Sequence, residues 1–188
     1  MALKSTIYKL ELEVFDIDNN IFQTHELTVA RHPSETDERM MVRILVFALH
    51  SNQALSFTKG LSSEDQPALW QRDLTNQIEI WIDLGQADES RIRKACSRAD
   101  QVFIYTYNQR SASVWWKQLQ DKLHRFKNLT IIHLADDVSQ TLTSLVQRNM
   151  QLQCTIQDDQ VWLGNSDTCV AVQAVIWKCS NSESNPKY

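Results

Sequence analysis

Three acidic side chains, Glu38, Asp65 and Asp83, are of the type that shares a hard divalent cation. Mg2+ demands near-octahedral oxygen coordination, so its carboxylates must come from different chain segments that the fold brings together. Asp83 ends the alternating run Ile78-Glu79-Ile80-Trp81-Ile82-Asp83-Leu84, where a strand would open onto a polar mouth. Glu79 cannot assist it, because four residues of strand hold the two Cα atoms about 13 Å apart. Glu38 falls on the same helical face as Met41, Leu45 and Ala48. It therefore either reaches past the core edge or joins a polar site built with another element. Asp65 lies in the acidic turn Ser62-Ser63-Glu64-Asp65-Gln66-Pro67. Spacing alone equally allows Asp83 to be an ordinary acid at a strand end.

A second constellation is cationic. Arg91, Lys94 and Arg98 recur along one edge of a helix expected from Asp88 to about Ala99, which either meets phosphates or is a solvated face. Trp115 and Trp116 adjoin on a further helix and diverge by about 100°, so one lies outside the core centre. Other chemistries are excluded by composition. The three glycines, Gly60, Gly85 and Gly164, are far apart, which rules out a P-loop or a Rossmann fingerprint. The five histidines are scattered and form no H-E-x-x-H motif. Asp16-Ile17-Asp18-Asn19-Asn20 starts like a calcium loop, but Ile21 and Leu27 replace the required glycine and glutamate, leaving a turn.

These residues need elements to position them. Of the 188 residues, 43% are hydrophobic and 22% charged, with a net charge of −4, as expected for one globular domain with no global field for polyanions. No stretch approaches a membrane span or a signal core, and the four cysteines form no zinc spacing, so a reducing cytoplasm is the expected location. Alternation predicts a β-hairpin over residues 5–31. Ser34 and Asp37 predict a capped helix through about His50, followed by short strands near 54–59 and 68–72 and a strand ending at Gly85. The helix capped by Asp88 leads to a buried strand at 102–105 and then to a helix capped by Ser111. A strand at 129–134, a helix at about 138–150 and strands at 152–156, 161–163 and 169–177 complete the chain.

Several segments resemble the YaeQ family of bacterial proteins in order and spacing, from the first residues to about Trp177. They are Ala30-Arg31-His32-Pro33-Ser34-Glu35-Thr36 with Glu38-Arg39-Met40-Met41, Trp81-Ile82-Asp83-Leu84-Gly85, Arg91-Ile92-Arg93-Lys94-Ala95, Tyr105-Thr106-Tyr107-Asn108, Trp115-Trp116 and Thr155-Ile156-Gln157-Asp158. The resemblance implies an α/β (α+β) fold with a restriction-endonuclease-like core of the PD-(D/E)XK type at about 34–107. That core is helix, three strands, helix, strand in a mixed sheet, here flanked by the N-terminal β-hairpin and C-terminal β-strands. One domain over 1–179 and a flexible tail over 180–188 are expected.

In such folds one acid follows a proline before the second core strand and another ends the third, and both hold Mg2+. A lysine two residues later positions the attacking water. On that pattern Asp83 matches the second acid and Glu38 resembles an extra helix acid used by some members. Two positions depart from it: Pro67 is followed by Ala68, and Gly85 stands where the lysine belongs.

Two functions follow from the resemblance. One is a divergent Mg2+-dependent phosphodiesterase acting on DNA or RNA. Its metal ligands are Asp83, Glu38 and Asp65, its catalytic set is Asp83, Glu38, Gln86 and Lys94, with Gln86 or Lys94 orienting water, and Arg91, Lys94, Arg98 and Arg110 meet phosphates. The other is a noncatalytic nucleic-acid- or protein-binding regulatory module on a degenerate nuclease fold.

Overall fold

The computed structural model describes residues 4–58 and 65–180. The chain opens with β1 (Thr6–Asp16) and β2 (Ile21–Arg31), paired in register over their full lengths as the expected hairpin. Tyr8, Leu10, Leu12 and Val14 are buried while Lys9 and Glu11 are exposed, so the period-2 pattern sets which face of the hairpin turns inward. Asn20 closes the turn with a φ of 54°, a left-handed conformation that asparagine tolerates.

Helix α1 (Asp37–Leu49) follows, capped by Thr36 instead of Ser34. The Ser34 hydroxyl is held 2.6 Å from the His32 ring Nδ1, and the Thr36 hydroxyl accepts from the Arg39 amide. Every residue from Met40 to Ala48 is buried, Arg43 included, so α1 has no solvated face. A helix apolar all round must be enclosed, and here it packs in one cluster with residues of two separate sheets. The Arg43 guanidinium is matched inside that core by Glu35 at 2.9 Å and by the Ala30 carbonyl at 3.0 Å.

The remaining elements are β3 (Leu55–Phe57), β4 (Leu69–Arg72), β5 (Ile78–Leu84), α2 (Glu89–Arg98), β6 (Ala99–Thr106), α3 (Gln109–Leu123), β7 (Leu129–Leu134), α4 (Asp136–Thr141) with a 3-10 turn over Leu142–Leu145, β8 (Asn149–Gln157), β9 (Gln160–Gly164), β10 (Cys169–Val172) and β11 (Ala174–Lys178). Among the described residues they form a five-stranded sheet of order β10-β9-β8-β1-β2 and a six-stranded sheet of order β11-β7-β6-β5-β4-β3. In the second sheet β5, β6 and β7 are parallel, with α2 and α3 as the crossovers, and the β3-β4-β5 meander is antiparallel. The result is a mixed α+β architecture of four layers: five-stranded sheet, α1 with α4, six-stranded sheet, α2 with α3.

Alternation along the six-stranded sheet divides the core. Ile82, Phe103, Tyr105 and Ile132 face α1, whereas Trp81, Val102, Ile104 and Ile131 face α2 and α3. Two elements differ from expectation. The helix expected over 138–150 ends by Leu145, because residues from Asn149 onward pair in parallel with β1. The single strand expected over 169–177 is divided at Gln173, where the chain passes from the first sheet to the second. No helix among the described residues is long and apolar enough to cross a membrane. The expected tail beyond Ser180 and part of the acidic turn, residues 59–64, lie outside the described residues.

Candidate functional site

Asp83 ends β5 and is 5% exposed. Its neighbour Ile82 packs toward α1, so the period of the strand turns Asp83 to the opposite face, beside Trp81. There its oxygens are taken by the chain itself. The Arg91 guanidinium, one turn into α2, donates from Nη2 to Oδ1 at 2.7 Å and from Nε to Oδ2 at 2.8 Å, and the Trp81 indole donates to Oδ2 at 2.9 Å. Arg91 Nη2 also donates to the Gln66 carbonyl at 2.8 Å. Three oxygens converge at this point, and the cation at their centre is a guanidinium.

Asp65, an exposed acid, is paired with Lys94, whose hydrogen bond and charge hold the Asp65 carboxyl below the ordinary carboxylate range. Arg98 and Arg91 add to that shift from α2. Glu38 is elsewhere. It lies on α1, on the other side of the six-stranded sheet, and accepts a hydrogen bond from the Ser139 hydroxyl of α4 at 2.6 Å. The metal set expected from sequence therefore does not assemble: Glu38 is separated from Asp83 by the sheet, and Asp83 and Asp65 are neutralised by Arg91 and Lys94. No group of three or more His, Cys, Asp or Glu side chains suited to a metal ion occurs among the described residues. These residues do not fit a shared Mg2+.

The partners expected to orient water are dispersed as well. Lys94 is bound to Asp65, and Gln86 is exposed, its amide nitrogen donating to the Tyr107 carbonyl at 3.2 Å. On the face that α1 covers, the strand ends offer Ala68 and Leu84, both packed into the apolar core. Neither can hold a metal or activate water.

What the structure does bring together is cationic. Residues 85–128, from the end of β5 to the end of the α3 region, carry nine lysines and arginines against four acids, whereas the whole chain has 19 against 23. The segment is thus net +5 and the remainder −9. At its centre Glu89, in the first turn of α2, is surrounded by Arg93 at 3.2 Å, Lys122 at 3.5 Å and Arg125 at 2.7 Å. Desolvation alone would raise the Glu89 pKa, and the three cations together hold it below the ordinary glutamate value. One carboxylate cannot neutralise three cations whose side chains are 62%, 60% and 55% exposed, so positive charge remains at the surface.

A groove lies between the β5–α2 loop and α3. It contains a hollow of about 450 Å³ lined by Gln86, Asn108, Arg110, Ser111, Val114, Trp115 and Gln118. Trp115 is 9% exposed, and its indole donates to the Ala87 carbonyl at 2.7 Å, fixing the distance between loop and helix. Asn108, and not the expected Ser111, caps α3; it takes a left-handed φ of 66° and accepts from the Ser111 amide. The second indole, Trp116, is half-buried and stacks on Trp177, which in turn stacks on His133. Arg93, Lys122, Arg125, Val114 and Gln118 escaped the sequence reading. A charge count by segment would have found the cations, and the four-residue spacing of Arg110, Val114 and Gln118 marks the groove wall.

The class defined by this fold and site is a layered α+β protein with a basic, grooved helical face and no assembled metal centre among the described residues. Its relatives place it further. The family model described as "YaeQ protein" matches residues 1–174, and the chain belongs to the YaeQ family. YaeQ proteins of Salmonella typhi and Escherichia coli (strain K12), both described as uncharacterized, are 45% and 44% identical over 178 residues, covering 95% of this chain and 98% of each relative. The crystal structure of the YaeQ protein from Xanthomonas axonopodis pv. citri matches with a TM-score of 0.89 at 40% identity, covering 93% of this chain and 98% of that one. That of the Pseudomonas syringae YaeQ protein also gives 0.89, at 32% identity over 95% and 98% of the chains.

Proposed function

We propose that this protein is a noncatalytic nucleic-acid-binding module whose contact surface is the α2–α3 face. The observation that carries the reading is charge segregation: residues 85–128 are net +5 in a chain of net −4, and the face they form stays net +3 after Asp83 and Asp65 pair with Arg91 and Lys94. Polyanion binding is driven by such local fields and not by the total charge. The order α1-β3-β4-β5-α2-β6, with β3 to β6 adjacent in the sheet, supports kinship with the restriction-endonuclease-like core. The occupied oxygens of Asp83 and the remoteness of Glu38 favour binding over hydrolysis. The bacterial relatives and the exposed thiol of Cys169, which is in no disulfide, support a reducing cytoplasm as its location.

The test is fluorescence anisotropy with labelled DNA and RNA across a salt series, beside a cleavage assay in Mg2+ and Mn2+. Each phosphate engaged contributes roughly −0.9 to the log–log salt slope on duplex and −0.7 on single strands. A slope of several phosphates and no cleavage is expected. Salt-insensitive binding, or cleavage lost in Asp83→Asn, refutes the reading.

A further inference from the structure

We propose that the occupant of the α2–α3 groove is a single-stranded segment, with one unstacked base in the hollow beside Val114 and Trp115. Its flanking phosphates lie on Arg110 at one end and on the Arg93, Lys122 and Arg125 cluster at the other. The inference rests on the nucleic-acid-binding function proposed above and deepens it.

The groove joins two chemistries that a duplex cannot satisfy together. Arg110 lines the hollow, and Lys122 stands roughly 18 Å farther along the helix and about 120° around its axis, a span of a few nucleotides. The middle of the groove is apolar: Val114 is 54% exposed, and the Trp115 ring forms the adjoining wall. A duplex offers phosphates on its perimeter and keeps its bases stacked inside, so the apolar hollow would stay empty. A single strand offers both, because its bases can be splayed from the backbone and laid against apolar and aromatic side chains.

The volume and the polar fringe fit a base. The hollow, about 450 Å³ and open to solvent, has room for one base laid against its floor. The side chains of Gln118 and Arg110 make no hydrogen bond among the described residues, and Gln86 uses only its side-chain amide nitrogen, on the Tyr107 carbonyl. A free amide and an amide oxygen at the rim match the mixed donor and acceptor edge of a nucleobase. The bond from Trp115 to the Ala87 carbonyl keeps the hollow open without ligand, so little ordering is required on binding.

The experiment measures anisotropy at one salt concentration with four probes: an unstructured single strand, its duplex, an abasic strand of equal length, and polyglutamate as a competitor. The intact strand is expected to bind about tenfold or more tighter than the abasic strand, to outrank the duplex, and to resist polyglutamate. Val114→Asn is expected to reduce that preference for bases while leaving abasic binding unchanged; the site is exposed, and an unchanged unfolding temperature verifies the fold. Lys122→Glu with Arg125→Glu is expected to weaken intact and abasic strands alike. Equal affinity for intact strand, abasic strand and duplex overturns the base-in-hollow inference while the nucleic-acid reading stands. Absence of binding to every nucleic acid overturns both.

Discussion

Replacing Asp83 with asparagine separates a structural carboxylate from a metal ligand. The carboxylate accepts two charge-assisted hydrogen bonds from Arg91 and one from Trp81. Asparagine keeps the shape and one acceptor oxygen but removes the charge, so the bidentate fork is lost. Hydrogen bonds to charged groups contribute about 1.5–3 kcal/mol each, and removing one partner of a buried ion pair costs about 3–5 kcal/mol. Here the Asp83 side chain is 8% exposed but Arg91 keeps 27%, so water can partly replace the lost acceptor. The expected loss is therefore near the lower end, about 2–3 kcal/mol, which for a domain of this size lowers the melting temperature by roughly 5–10 °C. Urea denaturation of wild type, Asp83→Asn, Arg91→Met and the double variant, all in EDTA, gives a coupling energy expected at about 2 kcal/mol. A metal ligand would behave in the opposite way: the variant would match or exceed wild type without metal, and Mg2+ would stabilise only wild type. That outcome would refute the structural role of Asp83.

The remaining predictions concern the core. His50 sits 2.6 Å from the Tyr105 hydroxyl, and burial lowers its pKa from the usual 6.5 to about 4. A histidine kept neutral by the fold contributes stability that is complete above pH 6.5 and is lost as pH falls toward 4. Between pH 7.5 and 5.5 that loss is about 1 kcal/mol, to be measured as the difference in pH dependence between wild type and His50→Gln; identical pH profiles would sink it. Leu45→Ala, in the helix enclosed on both sides, is expected to cost about 2–5 kcal/mol by denaturant titration. Glu35→Ala leaves Arg39 and the buried Arg43 without their shared carboxylate and is expected to cost about 3–5 kcal/mol in the same assay.

Local features were legible in the sequence wherever one period or one cap decided them. The hairpin of β1 and β2, the strand β5 and the Asp88 cap of α2 all follow from alternation or a single capping side chain. The shared side of Trp81 and Asp83 was equally legible, since residues two apart on a strand point the same way. What spacing does not encode is which helix covers which side. The helical face assigned to Glu38 assumed one buried stripe, whereas α1 is buried all round and its Glu38 is satisfied by Ser139, 101 residues later. The Asn108 cap was hidden because its left-handed backbone is imposed by the turn out of β6, and Ser111 is an equally good cap by type. Arg110 was named from sequence, but the Arg93, Lys122 and Arg125 cluster was missed because the net charge of the whole chain cancels it.

Strand alternation explains why Asp83 and Glu38 do not meet. A strand presents alternate residues to opposite faces, so an acid at 84 would point toward α1 and Glu38, while the acid at 83 points toward α2. The α1 side is closed by Ala68 and Leu84, and once those positions are apolar a metal there would face hydrocarbon. On the α2 side Asp83 acquires a different task. Through Arg91 it ties the start of α2 to the Gln66 carbonyl, ahead of β4, and the same β5–α2 loop presents Gln86 and the Ala87 carbonyl that anchors Trp115. The carboxylate that resembles a catalytic acid thus fixes the loop forming one wall of the basic groove. If the proposed groove binds a single strand, Asp83→Asn is expected to lower that affinity together with the stability, and an unchanged affinity in the destabilised variant would refute the coupling.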